Sequence, residues 1–303
     1  MVDNTMAGRD DAVPDDALTE QFVDDMLKKV AEGSDSAVAE VDVDAMLAQM
    51  EEWPQVEAIA LGGSRATGVD DPKSDYDFYV YISEDVPEEE RRRVFGEYCK
   101  RLEIGNSYWE NEDNGTLKNG VDIDVVWRNL DYFTGEVAAV VEGGRASNGY
   151  TTSLWHNLTT CKILFDRNGR LAAAKERFAV DYPDQLRHNI IERNMNLLTR
   201  ALPAYDRQIS KAAARGDIVA VNHRVAAFLE SYFDVIFALN RQPNPGEKRL
   251  IPQALRRCEL LPEGFRTNLL MLFASMFTSD PHDVDAAVKT LVDGLEQLVD
   301  EHE

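Results

Sequence analysis

The chain of 303 residues is long enough for two domains and a sizeable hydrophobic core. Its 55 acidic and 32 basic residues give a formal net charge of −23. Because proteins bind nucleic acids largely through Lys and Arg, which displace counterions from phosphates, this charge disfavours polymerisation on DNA or RNA. An acidic surface could instead attract a cationic small molecule, or serve solubility alone.

The cysteines and the apolar runs indicate the compartment. The three cysteines, Cys99, Cys161 and Cys258, are far apart and lack metal-binding spacing, as is typical of buried thiols in a reducing environment. The start of the chain lacks the basic and apolar stretches of a signal peptide, and no apolar run approaches the ~20 residues of a membrane span. We therefore expect a cytoplasmic protein without a membrane partner.

The first predicted elements are helical. Residues 1–16 are polar and acidic, and we expect them to be a disordered tail. Apolar residues at helical spacing predict helices over Thr19–Ala31 and Val43–Glu52, and Pro54 ends the second.

The period then changes from helix to strand. Short apolar or alternating runs, rich in β-branched and aromatic residues, predict four strands. These are Val56–Leu61, Tyr76–Ile82, Val121–Trp127 and Cys161–Phe165. A helix is expected after Pro87, with a buried stripe reaching Leu102, and further helical segments extend to Glu142.

After the turn at 166–169, all the predicted elements are helices. They cover Leu171–Ala179, Pro183–Arg200, Ala204–Arg215, Asp217–Leu239, Gly264–Phe277 and Pro281–Asp300. The predicted class is therefore α+β. A small mixed β-sheet domain with flanking helices over residues 17–168, with its sheet core at 56–165, precedes an all-α helical bundle over 169–303.

One motif carries the chemistry. The first strand runs into Gly62-Gly63-Ser64-Arg65, and Asp75-Tyr76-Asp77 follows eleven residues after the serine. Glycines let backbone N–H groups approach an anion, and a helix that begins there directs its positive end at the same point. Ser64 adds a hydroxyl donor, and Arg65 adds positive charge if its side chain turns inward. This pattern predicts a triphosphate cradle.

The aspartates predict a cation site. Asp75 and Asp77 alternate along a strand and therefore project from one face, which Asp122 or Asp124 can join from a neighbouring strand. Each pair of carboxylates ~5 Å apart repels by roughly 3 kcal/mol at an effective dielectric constant of about 20. Two Mg²⁺ ions that bridge carboxylates and phosphate oxygens would relieve this repulsion.

The pattern resembles the G-S-x(n)-D-x-D signature of nucleotidyltransferases of the DNA polymerase β superfamily, in particular their minimal, small-molecule branch. The resemblance covers about 56–165. It implies that Gly63 and Ser64 hold the β- and γ-phosphates, and that Asp75, Asp77 and a third carboxylate bind two metal ions. Asp124 is the expected third ligand, because residues 124–128 match the family's aspartate-then-apolar strand, and Asp122 is the alternative.

The C-terminal half also resembles known proteins. Residues 205–217 and 237–249 are similar to an uncharacterised helical domain often fused to such modules. Its layout is similar to the C-terminal bundles of aminoglycoside and lincosamide nucleotidyltransferases. Lys248 and Arg249 could reach the phosphates from this domain, or could lie in a solvated loop. Glu230 lies among apolar neighbours and could be a general base, or could form a peripheral salt bridge.

These features predict transfer of a nucleoside monophosphate, AMP in first place, from ATP or another NTP to a hydroxyl of a small-molecule acceptor, with release of pyrophosphate. The acceptor would be like an aminoglycoside or lincosamide. The expected partners are the nucleotide and this acceptor, with no nucleic acid, and the oligomeric state is left open. Two alternatives remain: attachment of AMP to a protein hydroxyl, and a non-catalytic nucleotide-binding regulatory protein.

Overall fold

A six-stranded mixed sheet forms the N-terminal half of the structure. Its strands are β1 (Val56–Leu61), β2 (Tyr76–Ile82), β3 (Cys99–Asn106), β4 (Glu112–Leu117), β5 (Asp122–Asn129) and β6 (Lys162–Asp166). They lie in the order β3-β4-β5-β2-β1-β6. The central pair β2 and β5 is parallel, and the other neighbouring pairs are antiparallel. The predicted α+β class is confirmed.

The computed structural model describes residues 41–68, 74–278 and 280–303. The predicted acidic tail over 1–16 and the predicted helix Thr19–Ala31 lie outside the described residues. Within those ranges, no helix has both the length and the apolar character that a membrane crossing requires.

Helices accompany the sheet and then form the C-terminal half. The helices of the N-terminal half are α1 (Val43–Glu51), α2 (Gly63–Thr67), α3 (Glu88–Tyr98), α4 (Leu130–Val141) and α5 (Ser153–Thr160). Those that follow the last strand are α6 (Arg170–Arg177), α7 (Asp184–Met195), α8 (Tyr205–Ala213), α9 (Ile218–Leu239), α10 (Leu250–Arg257), α11 (Phe265–Ser275) and α12 (Pro281–His302). One π-helical turn, Asn196–Arg200, extends α7.

One face of the sheet packs against α1 and α3. Trp53 is central to this core, with its ring centroid 6.3 Å from those of Phe95 and Trp127. Alternate strand residues such as Phe78 and Val125 are buried on this face. Because successive side chains on a strand point to opposite faces, Asp77 and Asp124 project to the other side.

The opposite face joins the C-terminal helices in one continuous core. Its buried residues run from Ala58 and Tyr81 on the sheet to Val299 on α12. The longest buried stretch is the second half of α9, where residues 231–239 are all buried. Residues 41–303 therefore form one compact unit, and the domain boundary expected between 168 and 169 stays a prediction.

The hairpin β3–β4 was not predicted from the sequence. The helix expected to reach Leu102 ends at Tyr98, and the chain continues as the edge strand β3. Most residues of β3 are exposed or half-buried, so the strand lacks the apolar alternation on which strand prediction depends. Helices α5 and α10 were also missed, whereas the predicted bounds of β1 and β2 are confirmed.

Candidate functional site

The chain turns sharply at the end of β1 and enters the short helix α2. The N–H of Gly62 donates to the carbonyl of Asp77 at 2.7 Å, which ties the turn to β2. Helix α2 then begins at Gly63 and ends at Gly68 in the left-handed conformation. The first N–H groups of a helix have no partner within the helix, which is the feature that anion-binding turns use.

Gly63 is in direct contact with an aspartate of the motif. Its φ is +60°, and a Cβ atom at this position would lie 1.8 Å from Oδ2 of Asp77. Any side chain here would displace the carboxylate, so glycine is required both for the backbone conformation and for the close approach. The structure thus brings the predicted phosphate loop and the predicted metal ligand into contact.

The parallel pairing of β2 and β5 aligns two of the aspartates. Asp77 and Asp124 are register partners, and both are half-buried. Asp124 accepts a hydrogen bond from Nδ2 of Asn114 at 2.7 Å. Asp122 is exposed and accepts from the hydroxyl of Thr116 at 2.8 Å. This geometry favours Asp124 over Asp122 as the third carboxylate.

The electrostatics of Asp77 show which charges surround it. Burial raises its pKa, and the carboxylates of Asp75 and Asp124 raise it further. The ammonium group of Lys248 acts in the opposite direction and lowers it. The pKa of Asp77 therefore depends on two neighbouring acidic side chains and on one lysine from the C-terminal half. Lys248 itself is exposed and lies in the turn before Leu250, and its part in phosphate binding stays a prediction.

Arg65 holds the start of β2. Its Nε donates to the carbonyls of Ser74 and Asp75 at 2.9 and 3.0 Å, and its guanidinium carbon lies 4.0 Å from the ring centroid of Tyr76. These contacts fix the backbone that presents Asp75. In this arrangement Arg65 positions a carboxylate, and its contribution to phosphate binding remains a prediction.

A strip of carboxylates continues from Asp124 across the hairpin that the sequence analysis missed. Burial raises the pKa of Glu112, and Asp124, Glu110 and Glu103 raise it further. Glu110 also forms a two-pronged ion pair with the buried Arg128, at 2.8 and 2.7 Å. The alternation of Glu110 and Glu112 in the sequence was a signal for these carboxylates. It indicates their proximity to Asp124 only once β4 is known to pair with β5.

Glu230, the other acidic residue singled out in the sequence, lies on α9 beside the segment around Gly149. A Cβ atom on Gly149 would lie 2.6 Å from Cβ of Glu230, so the segment around Gly149 packs directly on it. Burial and the neighbouring Glu247 raise the pKa of Glu230. Within the described ranges Glu230 forms no ion pair with a basic residue.

The carboxylates suit Mg²⁺ by their chemistry. Mg²⁺ prefers oxygen ligands and commonly binds one or two carboxylates together with substrate phosphates, and Asp77 and Asp124 are adjacent in register. Among residues 41–68, 74–278 and 280–303, no three His, Cys, Asp or Glu side chains are arranged as a ready-made metal cluster. The fit to Mg²⁺ therefore rests on the oxygen chemistry of these carboxylates, and metal binding stays a prediction.

Two protein-family models match parts of the chain. A family model described as "Nucleotidyltransferase domain" matches residues 46–146, and a "Domain of unknown function (DUF4037)" matches residues 151–249. No curated protein matches the chain.

Several solved structures are similar to it. A nucleotidyltransferase-like protein from Exiguobacterium sibiricum is 12% identical, with 86% of this chain and 73% of that chain covered and a TM-score of 0.39. An aminoglycoside 6-adenyltransferase from Bacillus subtilis is 9% identical, with 84% and 89% covered and a TM-score of 0.29. Spectinomycin adenyltransferase AAD(9) from Enterococcus faecialis, solved with ATP and spectinomycin, is 12% identical, with 84% and 99% covered and a TM-score of 0.29. Because these TM-scores are low, the activities of those proteins are not assigned to this chain.

The family match and the site geometry agree in position. The matched residues 46–146 contain the glycine turn, Asp75, Asp77 and Asp124. The family of this domain indicates transfer of a nucleoside monophosphate as the general class of reaction. The chain therefore carries a nucleotidyltransferase domain over residues 46–146, followed over 151–249 by a domain of the DUF4037 family.

Proposed function

We propose that the protein transfers a nucleoside monophosphate, AMP in first place, from an NTP to a hydroxyl of a cationic small molecule, with release of pyrophosphate. The observation that carries this proposal is the contact between Gly63 and Asp77, with Asp124 beside Asp77 in register. A turn suited to phosphates and a pair of carboxylates suited to their counterions meet at one point of the sheet.

The residues present divide the work of binding the nucleotide. The N–H groups at the start of α2, with the hydroxyl of Ser64, would hold the β- and γ-phosphates. Lys248 would add a positive charge from the C-terminal side, and Arg65 keeps Asp75 in place. Asp75, Asp77 and Asp124 would hold Mg²⁺, which when bound supplies the neutralisation of the triphosphate charge.

The reaction itself is a displacement at the α-phosphorus. The acceptor oxygen forms a bond to this phosphorus, the bond to the bridging oxygen of the β-phosphate breaks, and pyrophosphate leaves. The hydroxyl proton passes to a base, for which Glu230 is a candidate, because burial and Glu247 raise its pKa. The protein contributes mainly alignment and electrostatic stabilisation, as expected for phosphoryl and nucleotidyl transfer.

Two acidic surfaces support a cationic acceptor. The carboxylates of Glu103, Glu110 and Glu112 continue the line of Asp124 along the sheet. On the other side, Glu247 raises the pKa of Glu230, and both carboxylates raise the pKa of Tyr150. Together with the formal net charge of −23, these groups favour a polyamine-like or amino-sugar acceptor over an anionic one.

The proposal is tested by incubating the full chain with Mg²⁺, each common NTP and a panel of aminoglycosides, lincosamides and cell extract. We expect Mg²⁺-dependent pyrophosphate release and a small molecule whose mass increases by one nucleotide unit. The Asp77→Asn variant, folded by circular dichroism, should release none. Label appearing on proteins instead would support attachment of AMP to protein hydroxyls. Nucleotide binding without any pyrophosphate release across the panel would contradict the catalytic proposal.

A further inference from the structure

A buried carboxylate without a cationic partner lies in the second half of α9. Asp234 is 1% exposed. Its oxygens accept hydrogen bonds from the backbone N–H of Thr151 at 3.1 Å and from the side-chain amides of Asn244 and Asn194 at 3.1 and 3.4 Å. In the part of the chain that the structure describes, it forms no ion pair. Since an apolar residue would be buried there at a lower cost, the carboxylate is best explained by the segments it holds.

One of these segments leads to Lys248. Asn244 is fully buried, and its side-chain amide donates to Asp234. Its backbone N–H donates to the hydroxyl of Thr152 at 2.7 Å, and its Oδ1 accepts from the N–H of Gly246 at 3.0 Å. Two buried hydrogen bonds and one partly buried hydrogen bond therefore hold the turn that precedes Lys248.

The same carboxylate holds the segment that contacts Glu230. Thr151 belongs to residues 147–152, which connect the sheet's flanking helices α4 and α5. Asn194 on α7 accepts from the N–H of Gly149 at 3.2 Å and donates to the carbonyl of Ser147 at 3.2 Å. Asp234 thus joins segment 147–152, α7 and segment 243–249 at one buried point.

Lys248 lies in the segment that Asn244 attaches to the core. It is exposed, so the packing of its own side chain does not determine where it lies. Its charge nevertheless acts on Asp77, on the other half of the molecule. Asn244 is the buried residue that precedes Lys248 in the same segment, and Arg257 adds a second attachment of that segment by donating to the carbonyl of Pro243 at 2.7 Å.

We infer that Asp234 is a positioning residue of the nucleotide site, which acts through Asn244 to hold segment 243–249 so that Lys248 faces Asp77 and meets the triphosphate. The inference rests on the proposed function. Fixing the segment in advance lowers the entropy that nucleotide binding must remove, so Lys248 contributes more to affinity than it would on a free loop.

The test measures binding of a non-hydrolysable ATP analogue with Mg²⁺ to the full chain by calorimetry. We expect Lys248→Ala to weaken binding by about tenfold, as for loss of a charged hydrogen bond. Asn244→Ala should weaken it to a similar extent, and the double variant should lie within about twofold of the weaker single variant. Because both act on one interaction, the effects should not multiply.

An exchange of partners separates positioning from general destabilisation. Asp234→Asn places an amide where Asn244 already presents one, and should weaken binding. Adding Asn244→Asp places a carboxylate acceptor opposite the new amide donor at position 234, and the N–H of Gly246 can still donate to position 244. The exchanged pair should therefore recover most of the affinity. A matched control is Asn240→Ala, which removes the hydrogen bonds between the end of α9 and Leu260 in the loop that follows α10. It should lower the melting temperature and leave nucleotide affinity unchanged.

Each outcome decides between the two proposals. If the unsubstituted chain binds the analogue but Asn244→Ala or Lys248→Ala binds equally well, the inference is wrong and the proposed function stands. Multiplying effects in the double variant, or no recovery in the exchanged pair, would overturn it too. If the unsubstituted chain does not bind the analogue at all, the proposed function fails and the inference fails with it.

Discussion

Oδ2 of Asp77 lies where the side chain of residue 63 would begin, because a Cβ atom on Gly63 would be 1.8 Å from it. The two residues come from different elements, the start of α2 and the start of β2. Their contact means that a side chain at residue 63 would push the Asp77 carboxylate away from the turn.

The first prediction concerns this contact. Gly63→Ala should reduce pyrophosphate release by roughly 100-fold, since a displacement of about 1 Å at the reacting centre costs about that much. It should also lower the melting temperature, because alanine is strained at a φ of +60°. Steady-state kinetics and thermal unfolding measure both effects.

A second substitution provides the control. In Gly63→Ala/Asp77→Gly the clash is removed, so the stability lost in the single variant should partly return, while pyrophosphate release should fall below that of Gly63→Ala because the Asp77 carboxylate is gone. Full activity in Gly63→Ala would show that the contact is not needed for the reaction.

The second prediction distinguishes the two aspartates of β5. Asp124→Asn should lower kcat by at least ~100-fold, because it removes a charge beside Asp77 that is needed to hold the cation. Its stability should be unchanged or higher, since one source of repulsion is gone. Asp122→Asn, on the same strand but exposed and bonded to Thr116, should keep nearly normal kinetics. The reverse pattern would make Asp122 the third carboxylate.

The third prediction tests the role of Arg65. Lys cannot reproduce the planar guanidinium that stacks on Tyr76 and donates to two carbonyls. Arg65→Lys should therefore destabilise the protein by about 1–3 kcal/mol and lower activity nearly as much as Arg65→Gln. Urea unfolding and kinetics of both variants provide the measurement. If Arg65→Lys were fully active and Arg65→Gln inactive, the positive charge itself would be what matters.

The fourth prediction concerns pH. Burial raises the pKa of Asp234 from 3.8 to about 6. Between these values the folded protein binds more protons than the unfolded chain, so this group's contribution to stability is present below pH ~4 and is lost as the pH rises through ~6. We expect the free energy of unfolding to fall across this range by on the order of 2 kcal/mol more in the unsubstituted protein than in Asp234→Asn.

Urea unfolding from pH 4 to 7 in both proteins measures this difference. Because other groups titrate equally in the two proteins, only the difference between their curves reports on Asp234. Parallel curves would show that the carboxylate titrates normally despite its burial.

Local patterns were sufficient to predict the centre of the site. Strands β1 and β2 and the glycine turn between them depend on neighbours in sequence, and the structure has them as predicted, whereas the shared role of Asp75 and Asp77 stays a prediction. The register partner of Asp77 could be narrowed only to Asp122 or Asp124, because pairing between β2 and β5 joins residues about 47 positions apart.

Interactions between distant residues could not be predicted. In the edge strand β3, the first residue is followed by the charged residues Lys100 and Arg101, and the strand shows no apolar alternation. Its pairing with β4 could therefore not be predicted from the sequence. Asp234 lies in an apolar helix, where a single carboxylate is a weak signal. Its significance depends on Thr151 and Asn244, which only the folded chain brings to it.

The parallel ladder between β2 and β5 also links chemistry to the fidelity of folding. Ile123 and Val125 are buried in the core beneath the sheet, on either side of Asp124 in sequence. A slip of one residue would place Asp124 in that apolar core and turn the two aliphatic side chains to the face that carries Asp77. Such a slip would disrupt the packing of the whole hydrophobic core. The alignment of the aspartates therefore depends on buried residues outside the site.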